Sequence, residues 1–179
     1  MPALILHAAS PCWVPDSPDS LLRVLLDSGL IAPCNAAESA FKELPAGAEF
    51  LRLVMLLGCS PQVALAAASA RDGQPLCSLT LAVRPRVEFL EAIRRPPARC
   101  PHCRAAVAGC EPQAFDSQYT CPDCGQASLA SALDWRQAAG FGRCFIHING
   151  IYPHEAVPAD SLLAILSQCS GDHWRFFYT

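Results

Sequence analysis

Apolar positions along the chain fall into short runs separated by clusters of Pro, Gly, Ser and Asp. Residues 4–9, LILHAA, form such a run and end at the turn-rich stretch SPCWVPDSPDS, a pattern that predicts a strand. Leu21, Leu22, Val24, Leu25 and Leu26 then recur at helical spacing behind Asp19 or Ser20 as N-cap, predicting a helix that closes near Gly29. Residues 33–47 are small, polar and interrupted and read as a loop or short helix. Residues 50–57, FLRLVMLL, and 76–83, LCSLTLAV, read as two antiparallel strands joined by a long Ala-rich excursion. Val87, Phe89, Leu90 and Ile93 suggest a short amphipathic helix ended by Pro96 and Pro97.

Later in the chain the pattern predicts a short helix over 131–138, a strand over 143–151, a Pro-rich loop, and a helix over 160–168. The closing stretch HWRFFYT reads as a strand, with Trp174, Phe176 and Tyr178 on one face and Arg175 and Phe177 on the other. Two stretches resemble each other: Val14-Pro15 and Asp19 to Leu22 match Val157-Pro158 and Asp160 to Leu163. These patterns predict an α+β protein, a mixed sheet built from two β-α-β-like halves. The halves span residues 1–98 and 127–179, with an insertion over 99–126 whose composition shifts abruptly to Cys, Pro, Gly and polar residues.

Composition narrows the class. A chain of 179 residues that is 52% hydrophobic and 16% charged can bury a substantial core. Its formal net charge of -3 argues against coating nucleic acid or an anionic membrane through its overall field. No charge-free apolar run reaches membrane-spanning length, and the N-terminus lacks a basic segment ahead of an apolar core. The expectation is a cytoplasmic, bacterial protein without a membrane partner.

Of eleven cysteines, four have metal spacing: Cys100-Pro-His-Cys103 and Cys121-Pro-Asp-Cys124, separated by 17 residues. In each C-x-x-C turn both sulfurs converge on one point, and two turns complete a tetrahedron. Pro101 and Pro122 preset the turns, and Gly125 suits a left-handed position just after the second pair. Residues 99–126 resemble the zinc ribbon, a small fold in which two hairpin turns clamp a zinc ion. CPDCGQ matches the usual form, whereas CPHCRA has Arg104 where Gly is common. The resemblance implies a structural Zn2+ held by Cys100, Cys103, Cys121 and Cys124. With four protein donors no position is left for water, so catalysis by this ion is not expected. Iron in a rubredoxin-like cage is the alternative metal.

Cys12, Cys34, Cys59, Cys77, Cys110, Cys144 and Cys169 read mostly as reduced, buried small residues. Arg84, Arg86, Arg94, Arg95, Arg99 and Arg104 put six positive charges within 21 residues. They read first as a solvated face and as compensation for the thiolates, and alternatively as phosphate contacts. Of these, Arg94, Arg95, Arg99 and Arg104 are the candidate contacts to a partner or to nucleic acid. His154 and Glu155 are the only residues suggesting a general acid/base pair, in a loop without a nucleophile at a recognisable spacing. The leading expectation is therefore a non-catalytic interaction module for another protein: an adaptor, a complex subunit or an inhibitor of a partner. A nucleic-acid-binding accessory factor and an enzyme with its site in the α+β body are the alternatives.

Overall fold

Strand β1 (Ala3–Ala8) is buried along its whole length in the computed structural model, as a run apolar except for His7 requires when both faces are covered. The structure describes residues 1–33, 43–58, 63–65, 76–107 and 114–179. Helix α1 (Pro18–Asp27) turns Leu21 and Leu25 inward. Its N-cap is Ser17, not Asp19 or Ser20: the Ser17 hydroxyl accepts from the Ser20 N–H at 3.1 Å, and Pro18 takes the first helical position. The helix closes at Ser28, and Gly29 follows in the left-handed region. Of the stretch 33–47, residues 34–42 lie outside the described residues, and β2 (Leu44–Pro45) follows them.

Residues 50–57 are not one strand. They split into a single helical turn, α2 (Phe50–Leu53), and a short strand, β3 (Val54–Leu56). Strand β4 (Ser78–Glu91) continues through the positions expected to form a helix. Val87 and Phe89 point to one core and Leu90 to another, which is period two, and Ile93 is 100% exposed. An irregularity between Val83 and Glu88, containing Pro85, bends the strand.

The short arms β5 (Ala98–Arg99), β6 (Ala106–Val107), β7 (Gln118–Thr120) and β8 (Ala127–Leu129) belong to the cysteine-rich segment. Instead of a helix over 131–138 there is one tight turn, Ala130–Ala132. Strand β9 (Ala139–Asn149) starts before position 143, and β10 (Ala156–Pro158), α3 (Asp160–Ser170) and β11 (Trp174–Tyr178) complete the chain.

Five strands form one sheet in the order β11-β1-β9-β4-β2, and every ladder between named strands is antiparallel. The α+β class holds, but the sheet is not mixed. Strands β1 and β9 lie side by side antiparallel, with Ile5 opposite His147, so neither feeds the crossover that a parallel pair requires. Strand β3 pairs with β10, not with β4. Both longer helices cover the same sheet face: Leu21, Leu25, Leu162 and Leu166 pack over Leu4, Leu6, Leu79, Ile146 and Ile148.

The opposite face, with Ile5, Phe145 and Phe177 fully buried, is covered by the sheet's own curl. The first half of β9 folds across it so closely that a Cβ on Gly140 would stand 2.6 Å from His7 Nε2 and 2.9 Å from Phe177. The curl ends where the Gln137 carbonyl accepts the Tyr178 N–H at 3.1 Å, at the outer edge of β11. A second core joins the cysteine-rich segment to this curled end: Ala98, Val107, Leu133, Trp135 and Phe141, with Phe89, Phe115 and Tyr119 alongside. No helix among the described residues is long and apolar enough to cross a membrane.

Candidate metal centre

The two C-x-x-C segments fold into equivalent turns. In the first, the Arg104 N–H donates to the Cys100 carbonyl at 2.9 Å and the Cys100 N–H donates to the Ala105 carbonyl at 2.9 Å. In the second, the Gly125 N–H donates to the Cys121 carbonyl at 2.8 Å and the Cys121 N–H to the Gln126 carbonyl at 2.9 Å. Each turn needs a left-handed residue after its second cysteine. Gly125 supplies it at φ +71°, and Arg104 is forced into the same region at φ +65°. Hairpins β5–β6 and β7–β8 hold the turns face to face, and β5 is tied to the body by reciprocal bonds between Arg99 and Asp134.

The four sulfurs of Cys100, Cys103, Cys121 and Cys124 all lie within 4.8 Å of one another. Contacts between the turns are 3.8 Å for Cys100 to Cys124 and 3.6 Å for Cys103 to Cys121. A metal at the usual thiolate distance of about 2.3 Å sets tetrahedral neighbours about 3.8 Å apart, so the donor set fits an ion. These separations are too long for disulfides. The backbone N–H of Cys103, with that of His102, favours the thiolate of Cys100 and pulls it down to about 6. Cys100 and Cys121 are buried, while Cys103 is exposed, so the centre sits at the surface with one side against the second core. Among the described residues this is the one cluster of His, Cys and carboxylate side chains able to hold a metal.

The candidate arginines have different surroundings. Arg95 pairs with Glu91 and lays its guanidinium 4.9 Å from the Trp135 ring and 5.7 Å from Phe89, which makes it part of the second core's cover. Arg84 pairs with Glu88 at 3.2 Å. Arg94 and Arg104 are exposed, and Arg99 is half-buried beside the centre. Glu155 accepts the Tyr152 N–H at 3.1 Å, and the His154 ring lies 5.1 Å from that of Tyr178. Both residues thus help shape their loop.

His7 is buried, its Nδ1 is 2.9 Å from the Ala8 carbonyl oxygen, and burial pushes it down to about 4. His147 is also lowered, first by burial and then by Arg84, and its Nε2 has no hydrogen-bond partner among the described residues. Burial pushes Cys77 and Cys144 up to about 12, as buried neutral thiols. Cys34, Cys59 and Cys110 lie outside the described residues.

One feature had no sequence signal. A cleft of about 320 Å³ opens between β11 and residues 133–137. It depends on Arg136 and Gln137, which are both left-handed although neither is Gly or Asn. Comparison with protein-family models, with curated proteins and with solved structures finds no match.

Proposed function

We propose that this protein is a non-catalytic interaction module in which a zinc ribbon, its ion held by Cys100, Cys103, Cys121 and Cys124, braces a docking surface for another protein. The observation that carries the reading is the turn beside the ribbon. Ile93 is 100% exposed there, next to exposed Arg94 and just after the half of β4 whose apolar residues Val87, Phe89 and Leu90 are partly buried against the two smaller cores. A fully exposed aliphatic residue flanked by a guanidinium combines the apolar anchor and charged rim of protein interfaces. The closed four-cysteine set supports a structural ion, since no donor position remains for water or substrate. Thiolate donors in this arrangement favour zinc.

The test is affinity capture from the native host with the wild-type chain and with Ile93→Asp. A partner held by the wild type and lost by a folded Ile93→Asp protein supports the reading, and unchanged capture removes Ile93 from it. The nucleic-acid alternative rests on Arg94, Arg99 and Arg104, because Arg84 and Arg95 have intramolecular partners. Binding of DNA or RNA with a steep salt slope, lost in Arg94→Glu, would favour that alternative.

A further inference from the structure

The cleft between β11 and residues 133–137 follows a strand edge. Successive residues Trp174, Arg175 and Phe176 all line it, although the first and third belong to one sheet face and the second to the other. A cleft touching both faces of a strand runs along its free edge. Arg175 and Phe177 face their partners in β1, so the backbone groups of Trp174 and Phe176 point outward. They have no backbone partner among the described residues. Further along, the Tyr178 N–H is taken by Gln137, so the open edge has a defined end.

The opposite wall is strained. Arg136 and Gln137 take φ values of +56° and +54°, a costly conformation for two consecutive residues with side chains. Three contacts hold it: Asp134 Oδ1 accepts the Arg136 N–H at 2.9 Å, Trp135 is buried in the second core, and Gln137 binds Tyr178. The result puts exposed Arg136 and exposed Arg175 in the lining of one cleft. Neither guanidinium is ion-paired among the described residues. With Asp134 as the acidic side chain on the wall, the lining is net positive in a chain of net charge -3.

From this geometry we infer that the β11 edge binds an extended acidic peptide segment of a partner, added as a strand beside Trp174–Phe176 with its carboxylates between Arg136 and Arg175. Main-chain pairing supplies affinity and the two arginines select charge. Aromatic rings of Trp174 and Phe176 flank the peptide's apolar side chains. The site is separate from the Ile93 turn, so failure of either leaves the other standing.

Fluorescence anisotropy with two labelled octapeptides tests it, one alternating Val with Glu and the other Val with Lys. The Glu peptide should bind about tenfold tighter at low salt, with the preference shrinking as salt screens the arginines. Arg175→Glu, an exposed change that leaves the ladder intact, should abolish the preference. N-methylation of one alternate set of peptide amides should cost about tenfold and that of the other set little, since only one peptide edge faces β11. Absence of binding by the Glu peptide in low salt, equal binding of both charges, or indifference to N-methylation on either edge would overturn the inference. So would an equilibrium dimer in which a second copy of the chain occupies the edge.

Discussion

Arg104 and Gly125 occupy the same place in two equivalent turns, and only the glycine suits it. A left-handed non-glycine residue costs about 1 kcal/mol, so Arg104→Gly should raise stability by about that amount in denaturant unfolding of the metal-loaded protein. Gly125→Ala should lower it similarly, and purely through conformation, because an added Cβ there meets nothing within 4 Å. His7 supplies a second residue-scale prediction. The folded protein resists protonating His7 until about pH 4, whereas the unfolded chain takes up the proton near its ordinary 6.5. Stability is therefore complete above about pH 6.5 and falls as pH drops toward 4, by roughly 3 kcal/mol in total. Unfolding midpoints across that range should be flatter for His7→Leu than for wild type. His147, also lowered, adds a smaller acid sensitivity of the same sign that the substitution leaves in place.

At the scale of elements, legibility followed periodicity. Strand β1, helices α1 and α3, and strand β11 could be read because each carries its own apolar pattern and a local stop signal. The second half of β4 could not. Val87, Phe89, Leu90 and Ile93 fit a helical stripe as well as a bent strand, and the choice is made by tertiary packing of Phe89 on Trp135 and Phe141 at 5.0 and 4.6 Å. Phe89→Ala should accordingly cost about 2 to 3 kcal/mol in equilibrium unfolding and loosen the cysteine-rich segment that shares this core. The partner of β3 was equally hidden, since β10 lies about a hundred residues away and three-residue strands carry too little pattern to specify register.

On the scale of the whole molecule, the curled sheet and the cysteine-rich segment are linked through one shared core, so the four-cysteine cluster sits beside the end of the paired strands β4 and β9. The clustering of Cys100, Cys103, Cys121 and Cys124 was legible because a metal site imposes a local spacing on sequence. The edge cleft was not, because it arises from β11 and residues 133–137 meeting only after the sheet curls. Thiol accessibility should report the same organisation. In native alkylation mapped by mass spectrometry, Cys12 and Cys169 should react, buried Cys77 and Cys144 should not, and the four clustered cysteines should become reactive only after chelation. The most direct measurement is metal content alongside folding for the native protein and for the double substitution Cys121→Ser, Cys124→Ser. One zinc per chain in the native protein, with loss of both the ion and the cooperative fold of residues 99–126 in the variant, is the expected result. A native chain without metal, or a variant that stays fully folded, would contradict the structural role assigned to this centre.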